Sequence, residues 1–158
     1  MKRAGKKVSR STPQLVIERS RSGAVSRELW KGLVAFNRKK GGSLHYRRTV
    51  ISGRSPKGQL LGGLILESYW RESYVELLWV STKSRSTGLG SLLLRKAEDI
   101  AGRRGSRIIH LNTFSFQAPR FYEAHGYRRF GRIAGSPAGH SRHYFVKYLR
   151  APRLRRTG

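Results

Sequence analysis

Six residues, Arg85-Ser86-Thr87-Gly88-Leu89-Gly90, have the types and spacing to cradle an anion. They follow the apolar run Tyr74 to Val80 and precede a segment with helical apolar periodicity, so they read as a strand-to-helix turn. Glycine there lets the backbone pass close to a ligand. The first helical amides point outward without partners, and the helix dipole adds partial positive charge, so a phosphate or pyrophosphate fits. Arg85 adds a full charge. The spacing is neither G-x-G-x-x-G nor that of the P-loop, so neither nucleotide fingerprint is present. On these six residues alone, an anion cradle and an ordinary turn that needs glycines for its geometry stand level.

Other chemistries are excluded or weakened by composition. The chain has no Cys, which removes a disulfide framework, a thiolate zinc site and a cysteine nucleophile together. The histidines, at 45, 110, 125, 140 and 143, show no i, i+4 pair beside a carboxylate, so no metal is expected. His110 reads as a sheet histidine, and His140 as a loop residue that either meets substrate or is solvated. The longest apolar runs, such as Leu64 to Leu66 and Leu92 to Leu94, are far short of a membrane span. The basic N-terminus has no apolar stretch after it, so the expected compartment is cytoplasmic.

The elements that must position the turn follow from periodicity. Gln14 to Arg19 is β-branched and reads as a first strand. Val25 to Lys39, with Leu29, Trp30, Leu33 and Val34 at helical spacing, reads as an amphipathic helix stopped at Gly41-Gly42. Segments 45–52 and 59–69 are strands joined through Ser55-Pro56-Lys57-Gly58 as a hairpin. The near-continuously apolar strand 74–80 belongs at the sheet centre. Leu89, Leu92, Leu93, Ala97, Ile100 and Ala101 share one helix face, and the helix ends at Gly105. The strand at 107–111 then makes that helix a crossover between parallel neighbours. A short helix at 117–124 has Ser115 as candidate N-cap, Pro119 in its first turn and Gly126 as its stop. Strands at 127–133 and 141–149 close the chain, and no internal repeat is visible.

With both motifs on the page, the chain resembles the GNAT superfamily of acyl-CoA-dependent N-acetyltransferases. Arg85-x-x-Gly88-x-Gly90 is similar to that family's acetyl-CoA pyrophosphate loop, which has Gln or Arg, x, x, Gly, x, Gly or Ala. Ala118-x-x-Phe121-Tyr122-Glu123-Ala124-x-Gly126-Tyr127 is similar to its Ala-x-x-x-Tyr-Glu-x-x-Gly-Phe stretch. The order of elements agrees over about residues 13–149. The resemblance implies a single α/β (α+β) domain: a mixed, mostly antiparallel sheet with a central parallel pair and helices on both faces. It implies acetyl-CoA as cosubstrate and an amine of a small molecule or protein as acceptor, by direct transfer without metal. The cofactor would be held by Arg85, Ser86, Thr87, Gly88, Leu89, Gly90 and Ser91, with the edge of Leu78, Trp79 and Val80 against the pantetheine arm. Tyr122 would protonate the leaving thiolate, and Glu76 stands where many members carry a general base. The chain departs from the family at Ser115, where members often have Asn, so a cofactor contact from that side chain is open. Trp30, Tyr46, Glu67 and Asn112 are candidates for the acceptor pocket. Read as plain residues, Tyr122 can instead pack its helix on the sheet, and Glu76 can be an ion-pair partner of one of the many arginines.

At 158 residues and 18.0 kDa there is room for one ordinary domain with a real core. The expected organisation is a basic tail at 1–10, a domain at 11–149 and a basic tail at 150–158. Lys and Arg number 34 against 8 Asp and Glu, for a net charge of +26. Nine of the 34 lie in the two tails and the rest are spread along the chain. Arg27 and Arg120 even fall in first helical turns, where the dipole favours acids. Non-specific polyanion binding follows from such a charge. Its origin is read either as a generally supercharged surface or as a nucleic-acid face. The second makes a nucleic-acid-binding module the alternative function. The family resemblance adds a possible homodimer.

Overall fold

The computed structural model describes residues 13–17 and 23–149, which fall into two units, one up to Gly42 and one from Ser43 onward. In the first unit the helix α1 spans Ala24–Gly41. It ends at Gly42, whose φ of 77° frees its N–H to bond the Arg38 carbonyl at 3.2 Å. Arg38, Lys39 and Lys40 in its last turn complement the dipole. The strand expected at 14–19 does not form over 14–17, which hold no secondary structure, and positions 18 and 19 lie outside the described residues. A β-branched run becomes a strand only where a neighbour takes its backbone hydrogen bonds, and among the described residues no strand pairs with it.

The second unit is a six-stranded sheet, order β1-β2-β3-β4-β6-β5. The strands are β1 (Arg47–Arg54), β2 (Leu60–Tyr69), β3 (Glu72–Val80), β4 (Ile108–Phe114), β5 (Arg128–Ala134) and β6 (Ser141–Tyr148). Every pairing is antiparallel except β3 with β4, as the α2 crossover (Leu89–Arg103) requires. The β1–β2 hairpin closes where the Gly58 amide bonds the Ser55 carbonyl at 2.8 Å.

Alternation along the strands sets one face as the core. Leu64 and Leu66 of β2, Val75 of β3, Ile109 and Leu111 of β4 and Phe145 of β6 are buried together under Leu93, Leu94, Ala97 and Ala101 of α2. The helix is rotated from the face expected of it: Leu92 is 59% exposed and Leu94 fully buried. Glycines in the first two strands decide that placement. A Cβ at Gly53 would lie 2.8 Å from Leu89, and one at Gly62 would lie 2.8 Å from the Trp79 carbonyl and 3.2 Å from Leu89. The first residue of α2 therefore sinks onto bare backbone.

The short helix α3 (Pro119–Ala124) sits on the same face, because its Tyr122 ring packs on Phe145 and Tyr127. Among the described residues of this unit, no helix covers the opposite face. Pro119 opens α3 and Gly126, at φ 80°, follows it as expected. Ser115 is not its N-cap: the cap residue is Ala118, with no side-chain bond. The loop before α3 is instead closed by Gln117, whose Oε1 accepts from the Phe114 amide at 2.8 Å and the Thr113 hydroxyl at 3.0 Å.

Candidate active site

The sheet splits at one place. Strands β3 and β4 pair only from Glu72 with Ile108 to Val75 with Leu111. Beyond that, β3 stays with β2 up to Val80 and β4 stays with β6 up to Phe114. The two central strands part, leaving the β3 edge from Glu76 to Val80 without a neighbour on that side. A register shift at Ile65/Leu66 leaves Glu76 unpaired with β2 as well, between Val75 and Leu77. Such a bulge bends the strand and re-aims its side chains. Glu76 and Asn112 are the first residues past the fork on its two sides.

At the open end of the fork lies the glycine turn. After Val80 a 3-10 turn, Thr82–Ser84, leads into Arg85, and the Thr87 hydroxyl donates to the Ser84 carbonyl at 2.8 Å. Ser86 has φ 61° and Gly88 has φ 85°. Gly88 caps α2 without any side-chain bond, and the first turn of α2 holds no acidic residue. Among the described residues, none of the amides from Ser86 to Ser91 donates a hydrogen bond; the first helical bond is Leu92 N–H to the Gly88 carbonyl. Six successive unused donors at a helix N-terminus, with no competing carboxylate, form a donor set that fits a diphosphate. Arg85 is folded back, its Nε 3.4 Å from the Val80 carbonyl. The side chains of Leu89 and Ser91 are used structurally: Leu89 packs against the core, and the Ser91 hydroxyl is 2.9 Å from His125 Nε2.

His125 is a residue that sequence reading missed. Its Nδ1 lies 2.7 Å from the Phe121 carbonyl, which can only accept, so Nδ1 carries a proton, and Nε2 pairs with the Ser91 hydroxyl. The ring thus ties α3 to the first turn of α2. Phe121 completes the tie, its ring within 3.6 Å of where a Cβ on Gly90 would stand. The i, i+4 spacing of Phe121 and His125 was the available signal.

Tyr122 is 7% exposed, packed among Phe121, Tyr127 and Phe145, and its hydroxyl has no hydrogen-bond partner among the described residues. Burial pushes its pKa up to about 12. The phenol is therefore neutral, with a proton to give, across the ordinary pH range. Ser115 lies on the rim but is engaged elsewhere: its amide donates to the Ser141 carbonyl at 2.8 Å and its Oγ accepts from the Ser141 amide at 3.1 Å. His140 Nδ1 is 3.4 Å from the same Oγ, and its ring meets Phe116 edge-on, so His140 ties the loop between β5 and β6 to the loop before α3.

The acidic candidates gather on the opposite face of the sheet. Arg48 places Nε 3.1 Å and Nη2 2.7 Å from Glu76 Oε2, and the same Nε 3.8 Å from Glu67 Oε1. Tyr46 donates its hydroxyl to Glu67 Oε1 at 2.7 Å, a bond that raises the Tyr46 pKa. Asn112 Nδ2 donates to Tyr74 Oη at 2.7 Å. The Tyr74 ring lies 5.1 Å from His110, whose buried Nε2 is unpartnered and whose pKa burial pushes down. Tyr46, Glu67, Glu76 and Asn112 thus share a face; Arg48 links Glu67 with Glu76, and Asn112 pairs with Tyr74 instead. Tyr122 and the glycine turn lie on the α2 face, so the two groups can meet only through the fork between β3 and β4. Trp30 belongs to α1, in the other unit.

Comparison with known proteins agrees with this architecture. Residues 47–129 match the acetyltransferase (GNAT) domain family. The chain is 41% identical over 97 residues to the blasticidin-S acetyltransferase of Streptomyces morookaense, covering 59% of this chain and 69% of that protein. The crystal structure of an acetyltransferase from Bacillus cereus superposes with a TM-score of 0.78 at 31% identity, over 86% of this chain and 98% of the other. A Bacillus anthracis protein assigned as a streptothricin acetyltransferase, solved with acetyl coenzyme A, shares the fold at TM-score 0.58 and 23% identity, over 65% and 63% of the two chains. The chain belongs to the GNAT acetyltransferases. It is an acetyl-CoA-dependent acyltransferase.

Proposed function

We propose that the chain transfers the acetyl group of acetyl-CoA to a primary amine of a small molecule. The observation that carries this reading is the fork between β3 and β4, with six unused amides at its mouth and a buried, protonated tyrosine beside it. The blasticidin-S acetyltransferase relative supports a small-molecule acceptor. Acetyl-CoA brings an acyl group already activated as a thioester. The amides of Ser86 to Ser91 and the Arg85 guanidinium hold its diphosphate. The free β3 edge from Glu76 to Val80 offers backbone groups to the pantetheine arm, and an amide among Leu78, Trp79 and Val80 stabilises negative charge on the acyl oxygen. Glu76 takes the proton that the acceptor ammonium must lose before its nitrogen can attack. Tyr122 Oη gives a proton to the departing sulfur, and the second proton that the nitrogen sheds as the amide forms restores the phenol. Tyr46, Glu67 and Asn112 line the acceptor side, where carboxylates suit a cation.

Calorimetry with acetyl-CoA at roughly 0.5 M salt, where polycation capture of anions is screened, tests the cradle. Tight binding that ADP does not reproduce is expected, followed by turnover on small amines. Tyr122→Phe is expected to leave that binding intact and lower kcat on the order of a hundredfold. Salt-labile binding matched by ADP, or an unchanged kcat in Tyr122→Phe, overturns the corresponding assignment. Acetylation confined to protein amines overturns the small-molecule reading.

A further inference from the structure

The guanidinium of Arg48 holds a single oxygen of Glu76. Both contacts, 3.1 Å from Nε and 2.7 Å from Nη2, go to Oε2, and Oε1 has no partner among the described residues. Arg48 comes from β1, two strands away from Glu76 on β3, so its side chain crosses β2 to arrive. On the way it passes Glu67, its register partner, which approaches Nε at 3.8 Å. Glu67 is in turn held by the Tyr46 hydroxyl at 2.7 Å. A chain of contacts Tyr46, Glu67, Arg48, Glu76 therefore runs across the open face and ends at the fork. An exposed ion pair by itself adds little to stability. Glu76, however, stands at a bulge with no strand partner of its own, where backbone pairing does least to fix a side chain.

We propose that Arg48 is a positioning residue for acyl transfer. It clamps Glu76 Oε2 and so presents Oε1 as the oxygen that receives the acceptor's proton, with Glu67 and Tyr46 steadying the guanidinium from behind. This rests on Glu76 as the base. The step balances: one proton passes from the acceptor ammonium to Oε1 and the nitrogen gains a free lone pair, while Arg48 stays charged throughout. Arg48 touches neither reactant and acts through the carboxylate.

Arg48→Gln and Arg48→Lys, each in the parent and in Glu76→Gln, test this through kcat and the KM for acetyl-CoA. In the parent, Arg48→Gln is expected to lower kcat about tenfold or more through misplacement of the base, with the KM for acetyl-CoA unchanged. Arg48→Lys is expected to recover part of the loss. In the Glu76→Gln background, Arg48→Gln is expected to cost nothing further, since the two act as one unit. Equal losses in both backgrounds, or a loss in the KM for acetyl-CoA instead of kcat, overturn the inference while leaving Glu76 as the base. If Glu76→Gln alone leaves kcat unchanged, the base assignment itself fails. Far-ultraviolet circular dichroism of every variant separates these outcomes from misfolding.

Discussion

Tyr122 shows how one placement sets both packing and protonation. The ring fills the space between Phe145 and Tyr127, and the same burial that makes it core raises its pKa to about 12. Burial drives Tyr127 higher still. The consequence for stability has a definite sign. A phenol in the unfolded chain loses its proton near pH 10, whereas the folded state keeps it, so the native state binds more protons above that pH. The stabilisation is complete below pH 10 and is lost as pH rises toward 12. Urea unfolding of Tyr122→Phe and of the parent at pH 9 and pH 11 is expected to show a smaller alkaline loss in the variant; equal losses would mean that the ring ionises freely. At this scale the tyrosine was legible from the residues around it, Phe121 to Tyr127. The partner of Glu76 was not, since Arg48 lies 28 positions away and two strands over.

At the scale of elements, the seat of α2 is the decisive feature. Its N-terminus must reach the mouth of the fork, and it does so because Leu89 rests on Gly62 and Gly53. Gly62→Ala is expected to destabilise the fold by about 1–3 kcal/mol, because the new methyl meets backbone that cannot move aside. The same substitution is expected to weaken acetyl-CoA binding by shifting the unused amides. Gly102→Ala makes the contrast. It lies inside α2 with open space around it, and is expected to stabilise by about 0.5–1 kcal/mol with binding unchanged. Thermal melts and calorimetry of the pair read both effects, and equal shifts would show that the seat does not matter. Periodicity revealed that α2 exists and where it stops, but not which side packs. The apolar run Leu92-Leu93-Leu94 offers two adjacent faces, and only contact with the strands chose Leu94 over Leu92.

Over the whole molecule, charge and chemistry are partly separated. Of the 8 acidic residues, three (Glu67, Glu72 and Glu76) fall on β2 and β3, with Glu76 at the fork, within a chain of net charge +26. The long-range field favours an anionic cosubstrate, while the local carboxylates favour a cationic acceptor. Raising salt from about 0.05 to 0.5 M is expected to slow acetyl-CoA association by about tenfold or more in stopped-flow measurement, with a weaker effect on dissociation. An association rate indifferent to salt would show that the field does not steer.

The sequence by itself determined the local elements: the α1 and α2 helices, the hairpin and its turn, the parallel crossover, the glycine turn and the tyrosine helix. These rest on periodicity, stop signals and backbone freedom within a few residues, which are properties of a short segment. Only the tertiary structure decided where β3 and β4 part, that Glu76 sits on a bulge under Arg48, that Ser115 joins β6 instead of capping α3, and that residues 14–17 form no strand. Each of these depends on which backbone or charged group arrives from a distant segment. A strand's register, a bulge and an ion pair across three strands are decided by pairing between segments, and no local pattern encodes the partner.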